Sequence, residues 1–210
     1  GVSITDYLAA VFLYALQEVY EEWNSMSRYR KQKIIRLQVP VNLRNIFPSQ
    51  TMRNFSLFVM PEIDMRLGHY TFEEVLRRVY HQIRLETDEK LISKNLSRNV
   101  GSEKKIYVKS IPLFLKSMIL RAKYYALGTN QYSGVLTNLG KVTLPEDTEK
   151  MTRHFVFTPP PPNKKLKTNC GIIGFKNKLM LSFGNVTKSA DLENKIISFL
   201  KSQGILVNEE

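Results

Sequence analysis

Apolar residues recur along the chain with two different periods, and the switches between them outline the fold. Leu8, Val11, Phe12, Ala15, Leu16 and Val19 fall at three- and four-residue steps, the spacing of one helix face. Ser3 and Asp6 ahead of them resemble a capping box, so the pattern predicts a helix over 4–23, with a small-residue patch at Ala9, Ala10 and Ala15. The pattern then becomes β-branched and half alternating. KIIRLQV (33–39) predicts a strand ended by Pro40, and NFSLFVM (54–60) a second strand ended by Pro61. Helical spacing returns after the capping box Thr71–Glu74 and runs through Val75, Val79 and Ile83 to about Leu91. Pro112 stands in the first turn of a further helix, 111–127, stopped by Gly128.

The rest of the chain reads mostly as strand. Segments 131–138 and 153–157 are separated by turn residues around Pro145–Asp147, and PPPP (159–162) opens an extended Pro/Lys-rich connector over 159–168. Segments 171–175 and 179–183 flank Lys176-Asn177-Lys178 as a hairpin, and 189–200 closes the chain as a helix with Leu192, Ile196, Phe199 and Leu200 on one face. This order implies an α+β layer structure, a mixed β-sheet with helices packed mainly on one face. No internal repeat is visible.

Composition narrows the class. A chain of 210 residues that is 43% hydrophobic is long enough for a real core. The apolar runs fall far short of the ~20 residues that span a bilayer, so no transmembrane segment is expected. The single cysteine, Cys170, excludes an internal disulfide and fits a reducing, cytoplasmic setting. The net charge of +12 is unevenly spread: no acid lies between Glu22 and Glu62, or between Glu149 and Asp191. Such a field suits nucleic acid, an anionic surface or a phosphorylated cofactor, and suits a plain solvated face equally well.

Catalytic constellations are missing at this level. His69, His81 and His154 stand in unrelated settings, and there is no Gly-rich phosphate loop, nucleophile elbow or metal-ligand cluster, so no metal is expected. Cys170 reads as a small buried filler.

Two separated segments carry more. PVNLRNIFP followed by RNFSLFV, and IPLFLKSMILRAKYYALG followed by YSGVLTNLGKVTLP, resemble the C-terminal lobe of the CoA-dependent acyltransferase superfamily. That superfamily holds chloramphenicol acetyltransferase and the condensation domains of peptide synthetases, and the alcohol acetyltransferase type is nearest in flavour. The resemblance covers most of the chain, from GVSITDYLAAVFLYAL to DLENKIISFLKSQGI.

The resemblance implies a chloramphenicol acetyltransferase-like fold and a chain, 1–210, that is one lobe of a two-lobed enzyme whose N-terminal lobe is absent. The catalytic His-His-x-x-x-Asp-Gly motif belongs to that other lobe, where its histidine deprotonates an alcohol or amine acceptor for attack on an acyl thioester, acetyl-CoA being expected as co-substrate. This sequence carries no such motif, so the fragment alone is expected to be inactive. Arg44 is then the arginine that crosses the cleft to the motif aspartate, a role for which a guanidinium is better shaped than an ammonium; the plainer alternative is a surface turn cap. Thr137 and Asn138 become candidates for binding the developing oxyanion, or simply members of a strand-end turn. Asn42, Asn54, Ser56 and Ser133 are expected to line the substrate channel, and Lys164, Lys165 and Lys167 are weak candidates for the CoA phosphates.

No covalently bound cofactor is expected. The expected partners are the missing lobe and a small-molecule alcohol or amine, with no specific nucleic acid and with a homodimer conceivable through the exposed inter-lobe face. The alternatives are a non-catalytic basic module that binds nucleic acid or an anionic surface, or a degenerate scaffold relative.

Overall fold

The computed structural model describes residues 1–25, 33–104, 110–123, 132–162, 168–186 and 188–209. Helix α1 (Ile4–Ser25) is the centre of the molecule. It carries apolar residues on nearly all sides rather than along one stripe, which is the pattern of a helix buried all round. Leu8–Leu13, Ala15–Gln17 and Val19 are all withdrawn from solvent. One side lies on the sheet, where Phe12 meets Leu37 and the Cβ-less surface of Gly134. Helices α2 (Phe72–Glu86) and α6 (Asp191–Ser202) cover the rest, α2 through Val75, Val79 and Ile83 and α6 through Leu192, Ile196 and Leu200.

The sheet has six strands in the order β2-β1-β4-β5-β6, with β3 also paired to β1. Strand β1 (Ile34–Asn42) is antiparallel to β2 (Ser56–Val59) at its far end and to β3 (Glu62–Asp64) at its near end. Its other edge is parallel to β4 (Gly134–Val142), which is parallel to β5 (Thr168–Phe175); β6 (Lys178–Asn185) returns antiparallel. The expected α+β class, a mixed sheet with its helices on one face, is what the chain adopts.

Several boundaries differ from expectation, each for a local reason. Pro40 does not end β1: it lies within the strand opposite Phe58. The β1–β4 ladder runs over Leu37–Gln38 and Gly134–Val135, so at Pro40 β1 is already an edge on that side, where a missing N–H costs nothing. The long helix after Thr71 breaks at Thr87-Asp88, where Thr87 Oγ1 donates to the Ile83 carbonyl and Asp88 Oδ1 accepts the Leu91 N–H, starting α3 (Glu89–Lys104). Helix α4 spans Leu113–Lys123: Ile111 and Pro112 precede it as irregular chain, and 124–127 of its expected length lie outside the described residues. The turn around Pro145 holds a short helix, α5 (Glu146–Met151).

Segment 153–157 is not a strand. It crosses the back of the sheet as irregular chain, with Phe155 edge-on to Phe175 at 4.9 Å between ring centres and Phe157 over Gly171. The first prolines of the connector continue that cover: Pro159 is buried, Pro159 and Pro162 lie against Gly184, and the Pro160 carbonyl accepts Asn169 Nδ2.

Candidate functional site

The two segments that carry the family resemblance sit about ninety residues apart and reach the same end of the sheet, because β1 and β4 are parallel neighbours. Past Gln38 and Val135 the two strands are held by different partners, β1 by β2 and β4 by β5. Their C-terminal halves therefore separate at the same end of the sheet, with the N-terminus of α1 next to the β4 side. Asn138 Nδ2 donates to Thr5 Oγ1 at 2.9 Å, which ties the β4 side to that helix end.

On the β1 side, Asn42 Oδ1 accepts the Arg44 N–H at 3.1 Å and caps the single 3-10 turn Leu43–Asn45. Leu43, fully buried, anchors the turn to the core. The Arg44 guanidinium folds over the loop that follows: Nη2 donates to the carbonyls of Thr51 at 2.8 Å and Arg53 at 2.7 Å. Among the described residues no carboxylate lies within ion-pair distance of Arg44, so its charge is balanced by carbonyl dipoles alone. Ser56 pairs across the strands with Asn42, and its hydroxyl donates to Asn54 Oδ1 at 2.8 Å. Asn42, Arg44, Asn54 and Ser56 thus form one polar cluster.

On the β4 side, the Thr-Asn-Leu-Gly segment is a bulge within the strand rather than its end. The pairing with β5 shifts between Asn138 and Lys141, Gly140 takes φ +80°, and Asn138 Oδ1 accepts the Gly140 N–H at 2.8 Å. Both ends of the Asn138 amide are therefore engaged in holding the bulge and the α1 terminus. Thr137 points to the other face, half-buried, with its hydroxyl making no hydrogen bond among the described residues. Ser133 stands elsewhere: it precedes β4 at the opposite end of the strand, where its hydroxyl meets the half-buried Tyr20 phenol. Lys164, Lys165 and Lys167 lie outside the described residues.

Burial pushes the Cys170 thiol up to about 12, with the Glu193 carboxylate adding to the shift, so at neutral pH it is an inert thiol. His69 Nδ1 lies 3.0 Å from a Glu21 carboxylate oxygen and 3.1 Å from the Gln17 amide. Two further groups were not foreseen. Asp6, almost fully buried, accepts the Ser3 N–H and an Arg84 N–H at 3.0 Å; the capping signal was visible, but the partner 78 residues away was not. A cavity of about 310 Å³ lies between the C-terminal half of α1 and the start of α6, lined by Tyr20, Trp23, Ser133, Thr168, Asn185 and Glu193 among others. No cluster of His, Cys, Asp or Glu among the described residues could hold a metal ion, and no described helix is long and apolar enough to cross a membrane.

No family model matches the sequence, and no curated protein does. Among solved structures the chain is similar to a wax ester synthase/diacylglycerol acyltransferase from Marinobacter aquaeolei VT8, with TM-score 0.47 and 11% identity over 98% of this chain and 44% of that one. It is also similar to the PapA2 acyl transferase, TM-score 0.46 and 10% identity over 97% of this chain and 38% of that one. A third is the tallysomycin biosynthesis protein TlmII, TM-score 0.45 and 11% identity over 99% and 47%. The chain spans less than half the length of each.

Proposed function

We propose that this chain is the C-terminal lobe of a CoA-dependent acyltransferase that moves an acyl group, acetyl in the simplest case, from a thioester to an alcohol or amine. The observation that carries this reading is that PVNLR and TNLG, remote in sequence, lie at the same end of two neighbouring parallel strands, β1 and β4. The companion lobe supplies the histidine that takes the acceptor proton. Arg44 already lies over its own loop and keeps further guanidinium N–H groups for the companion's aspartate, a bidentate geometry that Lys lacks. Thr137 is the better oxyanion donor of the two β4 candidates, because its hydroxyl is uncommitted while the Asn138 amide is occupied.

The test is thiol release from acetyl-CoA over a panel of alcohols and amines. The 210-residue chain alone is expected to stay at background, and a protein joining it to a His-bearing lobe to turn over. Arg44→Ala in the joined protein should lower kcat/KM by about 100-fold, the scale of a misplaced catalytic group. Turnover by the chain alone, lost on substituting one of its own residues, overturns the half-enzyme reading.

A further inference from the structure

The cavity of about 310 Å³ between the C-terminal half of α1 and the start of α6 has the size of a small-molecule site. Leu16, Val19, Trp23 and Leu192 supply its apolar wall. Its charged groups are two carboxylates, Asp191 at the exposed rim and the half-buried Glu193, and no described Lys, Arg or His lines it. The chain as a whole has the opposite balance, a net charge of +12. Among the described residues neither carboxylate forms an ion pair. Lys188, exposed just ahead of α6, pairs with neither, and Lys195 is held by Glu18 and Glu22.

The hydrogen bonding of Glu193 is one donor short. Oε1 accepts an N–H from Asn185 Nδ2 at 3.0 Å, while Oε2 is buried and receives no hydrogen bond. A buried acceptor without a donor carries its desolvation cost uncompensated, and an ionised one carries more. The group that completes this wall brings an N–H donor and a positive charge, on a body apolar enough for Leu16, Val19 and Trp23. An anion would meet two like charges, and a neutral alcohol would leave both unbalanced. A metal ion would find only two carboxylates, and no group of three His, Cys, Asp or Glu among the described residues could hold one. Tyr20 stands edge-on to Trp23 with ring centres 5.5 Å apart, and an ammonium group beside such rings gains cation–π attraction.

We infer that this cavity binds a small primary amine with an aromatic or aliphatic body, its ammonium group held by Glu193 and Asp191 and its body laid against Trp23 and Leu192. Ser133, Thr168 and Asn185 border the cavity at the opposite end of the sheet from Arg44 and Thr137, so binding here does not depend on acyl transfer.

Trp23 is the only tryptophan of the chain, so its fluorescence reports directly on this cavity. The 210-residue chain is titrated with phenethylamine, and with phenethyl alcohol and phenylacetate as neutral and negative analogues of like size. Phenethylamine should give a saturable change in emission below about 10 mM, the affinity open to so small a ligand, and bind at least about tenfold more tightly than the alcohol. Phenylacetate should give no response. Glu193→Gln, which keeps the shape of the side chain, should weaken the amine about tenfold. Asp191→Asn, at the exposed rim, should weaken it severalfold with circular dichroism and the melting temperature at wild-type values. Equal affinity for amine and alcohol overturns the inference, and so does phenylacetate binding as tightly as the amine or the absence of any response to the amine. If Glu193→Gln lowers stability, Asp191→Asn decides alone, and unchanged amine binding in it overturns the inference.

Discussion

Arg44 illustrates how much a single side chain's meaning depends on what surrounds it. Expected to cross a cleft to an aspartate, the guanidinium here reaches back to the Thr51 and Arg53 carbonyls of its own loop. Cutting it to Ala should therefore loosen the 46–55 loop as well, which hydrogen exchange of those amides would register. Asp6 is the opposite case, a carboxylate committed within this chain. Asp6→Ala removes its bond from the half-exposed Arg84 and the capping acceptor of Ser3, and should destabilise by about 2 kcal/mol, the cost of hydrogen bonds to a charged group. Denaturant titration reads this as a lower midpoint with an unchanged slope.

Cys170 gives a pH prediction at the same scale. Its folded-state value, about 12, lies above the ordinary thiol value of 9.0, so the folded chain holds the proton more tightly. The stabilising contribution is complete below about 9 and is lost as pH rises from there toward 12. Cys170→Ala should flatten the stability curve over that window relative to wild type. Iodoacetamide at pH 8 should leave the native thiol unmodified and alkylate it in denaturant; rapid native alkylation would contradict the burial.

Among the elements, the sheet's back face is where chain direction and packing diverge. Segment 153–157 has a strand's composition, yet no free sheet edge receives it, and it serves instead as a lid over β5. Glycine positions show how tightly. A Cβ on Gly171 would stand 2.7 Å from the Phe157 carbonyl oxygen, a backbone atom that cannot step aside alone. A Cβ on Gly134 would stand 2.8 Å from the Phe12 ring, a side chain that can turn. Gly171→Ala should thus cost more than Gly134→Ala, within the roughly 1–3 kcal/mol of core overpacking, and should shift Phe155 and Phe157 off the sheet. Thermal melts of the two variants give the order; the reverse order would mean that the lid yields more readily than α1.

At the scale of the whole molecule, local pattern was sufficient for what depends on neighbours in sequence. The 3.6-residue spacing of α1, the capping boxes at Ser3 and Thr71, the β5–β6 hairpin and the α+β class could all be read from the chain, because helix faces, caps and tight turns close within a few residues. Asn42, Arg44, Asn54 and Ser56 were singled out by the family resemblance rather than by local pattern; only Asn42 and Ser56 face each other in the antiparallel pair, with Arg44 and Asn54 in the turn and loop just beyond it. What tertiary structure decided are the relations of high sequence separation. The parallel register Leu37↔Gly134 brings Arg44 and Thr137 toward one end of the sheet while sending Ser133 to the other end of its strand. The end of that ladder lets Pro40 lie within a strand, and the β5 register makes TNLG a bulge rather than a terminus. Strand pairing is set by which apolar faces close one common core, and no window along the chain contains that information.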